Sequence, residues 1–142
     1  MNKLLISSRI LRAEGILLLA VAGIHLAVIP TLRGVFVRLL SPGDFRFVWP
    51  PFLLNHVVMG ILLIPLGLST LYCASGISRG EQWSWRVGMT NAITILSLPI
   101  VLVGVMERHY FSALPFLIAT ILITVVGLSM IWPLVWVRRE FK

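Results

Sequence analysis

Charged residues divide this chain into four long apolar segments. Each segment lacks Asp, Glu, Lys and Arg over a length that can cross a bilayer, and the four cover residues 15–32, 47–78, 87–106 and 109–137. A helix needs about 20 apolar residues to cross the hydrocarbon core, because it rises only about 1.5 Å per residue. With the aromatic and proline residues at the segment ends assigned to the membrane surface, the pattern predicts four spanning helices, at about residues 14–32, 51–74, 87–106 and 114–137.

The composition indicates that lipid surrounds most of the protein. Hydrophobic residues make up 58% of the 142 residues and charged residues only 12%, whereas a soluble domain has about 25% charged residues. The length allows one domain, and short connections after the second span make consecutive spans neighbours. The sequence therefore predicts a single all-α integral membrane domain, residues 1–142, in which four antiparallel spans form an up-down helical bundle.

The segment between the first two predicted spans, residues 33–50, differs from the spans themselves. It carries three arginines, a Ser-Pro-Gly-Asp turn sequence, and aromatic residues at the alternating positions Phe45, Phe47 and Trp49. Bases and aromatic side chains are typical of a segment that lies in the headgroup region. We therefore expect an interfacial loop here, with a short surface helix at its start, and not a soluble catalytic domain.

The basic residues predict an orientation rather than a nucleic-acid partner. The net charge is +7, but the bases occur in ones and twos between apolar runs and form no stripe that could follow a phosphate backbone. Basic residues hold loops on the cytoplasmic side. Eight bases lie in the two terminal segments and the loop after the second span, and four lie in the other two loops. This difference places both termini in the cytoplasm, with the spans in the plasma (inner) membrane.

Two histidines lie inside the predicted spans, where ionisable side chains are costly and often functional. His25 lies about 10 Å from the end of the first span and His56 about 7 Å from the start of the second, so antiparallel spans would hold both imidazoles at a similar depth. One hypothesis is that they ligate a haem iron from opposite sides or contact a quinone, with Thr120 and Thr124 of the fourth span as lining. The other is that each histidine donates a hydrogen bond to a backbone carbonyl or a hydroxyl on the next helix.

Other polar residues have simpler expected roles. Glu14 is expected to pair with Arg86 at the cytoplasmic end of the spans, and Asn91 to hydrogen-bond a neighbouring helix. Glu107 and His109 offer a weak alternative metal site together with the span histidines. Their position at the membrane boundary, about two helical turns from the buried histidines, favours a charged hairpin instead.

The sequence lacks the motifs of several enzyme classes. Cys73 is the only cysteine, which excludes an intrachain disulfide, a CxxC redox pair and a cysteine metal site. There is no glycine-rich phosphate loop, GxSxG nucleophile elbow or HExxH pair. These features favour a small accessory or structural subunit that docks on a larger membrane complex or on copies of itself. The alternative is a small membrane cytochrome or quinone-site protein with His25 and His56 as haem ligands.

Overall fold

The computed structural model describes residues 2–105, 111 and 114–141, and these residues are helical almost throughout. The α-helices are α1 (Lys3–Ala27), α2 (Ile29–Leu39), α3 (Pro42–Ser78), α4 (Gln82–Val105) and α5 (Leu114–Trp136), and a 3-10 helix (Arg138–Phe141) follows them. No β-strand occurs within these described ranges. The all-α prediction is therefore confirmed.

Four of the helices, α1, α3, α4 and most of α5, are long and apolar enough to cross a membrane. Among the described residues, this confirms the prediction of four helices that are long and apolar enough to span a membrane. Only between 22% and 33% of each apolar stretch is buried inside the protein, so most of the apolar surface faces outward. Such a surface is stable against lipid or against another apolar protein surface.

Prolines explain why two helix boundaries differ from the predicted spans. The first span was predicted to extend to residue 32, but α1 ends at Ala27, because Pro30 cannot donate a hydrogen bond to the carbonyl four residues earlier. A new helix, α2, begins at Ile29 with Pro30 in its first turn, where the missing N–H is tolerated. The helix α3 begins at Pro42, nine residues before the predicted position 51. Residues 42–50 were expected to be non-helical, and that expectation was wrong.

The chain divides into two compact units. Residues Ile16–Leu68 form one of them, and Met1–Gly15 together with Ser69–Lys142 form the other. We call the first the α2 unit, because it contains all of α2, and the second the α4–α5 unit, because it contains those two helices.

Close packing between α4 and α5 holds the α4–α5 unit together. The indole Nε1 of Trp85 donates a hydrogen bond to the carbonyl of Leu134 at 2.8 Å. Gly127 approaches Leu96 so closely that a Cβ on the glycine would lie 3.0 Å from the Leu96 Cα. Residue numbers thus fall along α5 as they rise along α4, so the two helices run in opposite directions. The fully buried side chains of this unit are mainly aliphatic and include Leu11, Ile77, Ile95, Met130, Leu134 and Val137.

Buried serines at the start of α1 bond to the carbonyls of other helices. Ser8 donates its hydroxyl to the carbonyl of Ala74 on α3 at 2.6 Å, and Ser7 donates to the carbonyl of Pro133 on α5 at 3.3 Å. Both serines are almost completely buried. Since a buried hydroxyl without a partner is costly, these bonds fix α1 against α3 and α5.

A tight turn connects α3 to α4. Gly80 has a φ of 74°, a left-handed conformation that glycine adopts at little cost. Gly76 lies so close to Ser84 that a Cβ on the glycine would be 2.6 Å from the serine Cβ. Glycine is therefore required at both positions, one for backbone conformation and one for space.

Arg79 and Glu81 form an ion pair at this turn, outside the apolar stretches. Arg79 Nε lies 2.6 Å from Glu81 Oε1, and the indole of Trp83 donates to Glu81 Oε2 at 2.7 Å. The hydrogen bond from Arg79 holds the pKa of Glu81 below its usual value, and the same bond raises the pKa of Arg79. Both side chains are in contact with solvent, so the pair contributes modestly to stability.

Candidate functional site

The two span histidines lie side by side in the α2 unit. The rings of His25 on α1 and His56 on α3 stack with 4.6 Å between their centroids and 28° between their planes. Gly60, one turn after His56, permits this approach, since a Cβ there would lie 2.8 Å from Leu26 Cδ2 and 3.4 Å from His25 Cβ. The structure therefore brings the two candidate ligands together.

The nitrogen atoms of the two imidazoles have different surroundings. Nδ1 of His25 lies 3.2 Å from the carbonyl oxygen of Val21, one turn earlier on the same helix. An N–H at this nitrogen donates to that carbonyl, so the bond lies within α1, whereas the hydrogen-bonding hypothesis had expected a bond to the next helix. Nε2 of His56 is buried and has no hydrogen-bond partner among the described residues. A buried polar atom in this state costs about 1–3 kcal/mol, so His56 is the polar group at this site that could gain most from an external partner.

The histidine pair is one end of a longer run of rings, which we name the aromatic cluster. Phe52 stacks on His56 with 5.4 Å between centroids, and Phe36 of α2 lies 4.6 Å from Phe52. Trp49 lies 5.6 Å from Phe36 and 5.8 Å from Phe45. Each such ring pair contributes about 0.5–1.5 kcal/mol beyond its burial. The cluster joins three helices and consists of His25, Phe36, Phe45, Trp49, Phe52 and His56.

A signal for this cluster is present in the sequence. Phe45, Trp49, Phe52 and His56 follow one another at intervals of four, three and four residues, which places all four side chains on one helical face. The alternation of Phe45, Phe47 and Trp49 had instead indicated an interfacial loop. In the structure Phe47 is 82% exposed and lies outside the cluster, because a helix directs it away from its neighbours.

The stacked geometry does not fit two axial ligands of one haem iron. An axial imidazole nitrogen lies about 2 Å from the metal and its ring points at the metal edge-on, so the two ring centres lie roughly 6 Å apart across the porphyrin. Here the centroids are 4.6 Å apart and the rings lie nearly face to face. No porphyrin fits between rings in this arrangement. Within the described ranges, no group of three or more His, Cys, Asp or Glu side chains could hold a metal ion.

The other candidate site residues do not belong to the α2 unit. Thr120 and Thr124, the proposed lining, lie in the α4–α5 unit. Thr120 is buried, and Thr124 donates its hydroxyl to the carbonyl of Thr120 at 2.8 Å. The Thr124 hydroxyl is thus satisfied within its own helix. Glu107 and His109, the alternative metal ligands, lie outside the described residues.

Glu14 has a different partner from the predicted one. Its Oε1 accepts a hydrogen bond from the hydroxyl of Ser129 on α5, and its Oε2 is buried without a partner in the described part of the chain. Arg86 is exposed on α4 and forms no ion pair with this carboxylate, so the predicted pairing was wrong. The bond to Ser129 was missed because a serine on an apolar helix gives no charge signal.

Asn91 connects two helices, as the sequence predicted. It is 7% exposed, and its Nδ2 donates to Ser69 Oγ at 2.7 Å and to Thr70 Oγ1 at 3.2 Å on α3. A side-chain amide at this depth is favoured when both of its polar ends find partners on neighbouring helices. The bond therefore has a structural role within the α4–α5 unit.

Four small side chains and one valine lie on an outward face of α4, which we name the α4 stripe: Thr90, Thr94, Ser97, Val101 and Gly104. They follow one another at intervals of four and three residues, the spacing that keeps side chains on one helical seam. Ser97 is half-buried and the others are exposed. The three hydroxyls donate to carbonyls one turn earlier on the same helix, at distances from 2.7 to 3.1 Å. The stripe thus presents a surface whose hydroxyls are already satisfied.

An apolar hollow borders the stripe. Its volume is about 120 Å³, and it is lined by Ile93, Leu96, Ser97 and Ile100. Ile93 and Ile100 are 55% and 68% exposed, so they form raised edges beside the small residues. The outward surface of α4 therefore carries the α4 stripe and, next to it, an apolar depression.

Comparisons with protein-family models, with curated proteins and with solved structures found no match for this chain. The side chains described above therefore carry the functional interpretation.

Proposed function

We propose that this chain is a non-catalytic integral membrane subunit that packs against a spanning helix of a larger membrane protein through the α4 stripe. The supporting observation is the stripe itself, whose five positions follow at intervals of four and three on an outward face and carry small side chains at all but Val101. Lipid tails are as apolar as leucine, so helices associate in membranes by close van der Waals packing, and small residues let two backbones approach. A stripe of this kind packs more closely against another helix than against lipid chains.

The hollow beside Ser97 supports the same proposal. It is an open apolar depression of about 120 Å³, which an aliphatic side chain of a facing helix can enter. When the contact residues of two helices recur at intervals of four and three, side chains of one helix insert into holes between side chains of the other. The partner is therefore expected to present Leu or Ile at this level.

A photo-crosslinking experiment in native membranes tests this proposal. The photoreactive residue p-benzoylphenylalanine replaces Ser97 in one variant and Leu122 of α5, which is 58% exposed, in a control. We expect a discrete adduct from position 97 and none from position 122. An adduct of twice the chain mass would identify a second copy as the occupant in place of a larger partner. Equal yields at both positions, or adducts with lipid only, would overturn the proposal.

The proposal includes a topology. The four spans run up and down as an antiparallel bundle, α2 lies in the headgroup region, and both termini face the cytoplasm of the inner membrane. The excess of basic residues on the terminal side, eight against four, supports it. Because Cys73 is buried, a cysteine introduced on the surface can be labelled selectively. We expect an impermeant maleimide added to intact cells to label Gly43→Cys but not Glu140→Cys, and the reverse result would refute the orientation.

A second candidate, a quinone-binding protein, is favoured by one observation. The buried Nε2 of His56 has no partner among the described residues and lies next to the flat ring of Phe52, so it could bond a quinone carbonyl. Titration of the purified protein with a short-chain quinone, followed by tryptophan fluorescence, tests this function. Saturable quenching that His56→Phe abolishes and His25→Phe retains would support it. Quenching that is linear and unchanged in both variants would exclude it.

A further inference from the structure

A groove lies between the end of α2 and the first turns of α3. It has a volume of about 390 Å³ and is lined by Val37, Leu40, Pro42, Phe45 and Arg46. This volume falls within the usual range for small-molecule sites, about 300–1,000 Å³. Four of the five lining residues are apolar, and Arg46 is the one charged member. The groove thus offers an apolar wall with a single cation at its edge.

The guanidinium of Arg46 is available to a ligand. Arg46 is exposed and forms no ion pair with any carboxylate in the described ranges. The nearest acid in sequence, Asp44, is already engaged at the start of α3, where Ser41 Oγ donates to its Oδ2 at 2.6 Å and the Asp44 N–H donates to Ser41 Oγ at 3.2 Å. Residues 29–50 contain three arginines and this one acid, so the surroundings of the groove are positively charged.

Arg46 lies at the boundary between the charged start of α3 and its long uncharged remainder. The helix has 37 residues, which corresponds to about 55 Å, whereas the hydrocarbon core is about 30 Å thick. Arg46 is the last charged residue before the uncharged residues 47–78. The uncharged segment begins directly after Arg46, and basic residues at such a boundary favour the headgroup region, where a lipid phosphate can reach the guanidinium.

We propose that this groove binds one anionic phospholipid, whose phosphate pairs with Arg46 and whose acyl chain lies against Val37, Leu40 and Phe45. The guanidinium can donate two parallel hydrogen bonds to a phosphate, which fixes the headgroup more specifically than surface charge does. The apolar wall selects an amphiphile over a free anion. This site involves the α2 unit alone and is independent of the α4 stripe.

Native mass spectrometry of the full chain in a neutral detergent tests the proposal. The protein is titrated separately with phosphatidylglycerol, with phosphatidylcholine of the same acyl chains, and with glycerol 3-phosphate. We expect one phosphatidylglycerol per chain to bind most tightly, and glycerol 3-phosphate not to displace it. Arg46→Gln should weaken this binding by at least about tenfold, because it removes a charged hydrogen bond. The matched control Arg33→Gln, an exposed arginine of α2 outside the groove, should change it by less than about twofold, because a neutral micelle has no surface potential.

A second variant tests the apolar wall. Val37 is 57% exposed, so Val37→Asn leaves the fold intact, which circular dichroism can verify, and should weaken phosphatidylglycerol binding while leaving the response to glycerol 3-phosphate unchanged. Equal binding of the two phospholipids would overturn the proposal. Equal losses in Arg46→Gln and Arg33→Gln would also overturn it, since they would indicate general attraction to charge. Displacement by glycerol 3-phosphate would show a simple anion site instead.

Discussion

Replacing each histidine of the stacked pair by phenylalanine should have opposite effects on stability. Phenylalanine retains a flat ring for the stack but has no polar atoms. His56 Nε2 is buried without a partner among the described residues, and removing such an atom recovers about 1–3 kcal/mol. His25 Nδ1 lies 3.2 Å from the Val21 carbonyl, and losing such a bond costs about 0.5–1.5 kcal/mol.

The size of the expected effect follows from the surroundings of each ring. His56 stacks on Phe52 at 5.4 Å and on His25 at 4.6 Å, and a phenyl ring at position 56 keeps both contacts. We therefore expect His56→Phe to raise the free energy of unfolding by about 1 kcal/mol and His25→Phe to lower it by about 1 kcal/mol. The two variants should thus differ by roughly 2 kcal/mol, although each makes the same chemical change.

Equilibrium unfolding in mixed detergent micelles measures this difference. Far-ultraviolet circular dichroism follows the helices, and the midpoints are compared at equal slopes so that differences report stability rather than compactness. A His56→Phe variant that is more destabilised than His25→Phe would contradict this expectation. That result would mean that Nε2 of His56 has a partner, such as a bound water or ligand, whose loss outweighs the gain. It would also strengthen the quinone alternative.

Three further predictions concern the α4–α5 unit and the turn before α4. Gly127→Ala should lower the free energy of unfolding by about 1–3 kcal/mol, because its Cβ would meet the backbone of Leu96 at 3.0 Å, and thermal unfolding measures this. Asn91→Leu should cost about 1 kcal/mol in the same assay, because it removes two hydrogen bonds to hydroxyls on α3. The lowered pKa of Glu81 means that its pairing with Arg79 stabilises the folded state above the unfolded pKa, about 4.3. The stability difference between the protein and Glu81→Gln should therefore disappear as the pH falls through the folded pKa.

Controls make these three outcomes decisive. Gly23 has no described atom within 4 Å of where its Cβ would lie, so Gly23→Ala should not destabilise the protein, because alanine has the higher helix propensity. Equal losses for Gly23→Ala and Gly127→Ala would contradict the close-packing argument. If Asn91→Leu is as stable as the unchanged protein, the hydrogen bonds of the Asn91 amide do not contribute to the free energy of unfolding. A Glu81→Gln difference that stays constant with pH would show that the ion pair does not respond to protonation.

The helices could be predicted from sequence because their signal is distributed over many residues. Long uncharged segments identified the four described helices that are long enough to span a membrane, and no single residue decided any of them. The ends of the helices were harder to predict, because prolines have different effects at different positions. Pro30 separates α1 from α2, whereas Pro50 and Pro51 lie inside α3. The helix continues through that pair where Trp49 packs against Phe45 and Phe52. A proline therefore does not by itself determine where a helix ends.

The candidate site was only partly predictable for a related reason. His25 and His56 could be identified because ionisable residues are rare in apolar segments. Their relative orientation could not be identified, since it depends on Gly60 and on how closely the two helices approach. The sequence-based haem hypothesis required coaxial rings, whereas the close approach at Gly60 leaves the rings face to face. The ionisable side chains of His25 and His56 thus identify the candidate site, whereas Gly60 determines how the two rings are oriented and therefore which ligands fit.

The two unpartnered buried atoms provide the strongest physical argument for an external ligand or partner. Among the described residues, the buried side-chain nitrogen and oxygen atoms without a hydrogen bond are Glu14 Oε2 and His56 Nε2, and one lies in each compact unit. Elsewhere the hydroxyls of Ser7, Ser8 and Thr124 are all paired with carbonyls, so the fold can satisfy polar groups at these depths. Each exception costs about 1–3 kcal/mol, a substantial fraction of the 5–15 kcal/mol that stabilises a typical protein. A group that supplies a hydrogen bond to either atom recovers this cost on binding, so these two atoms are the first places to look for density in a complex.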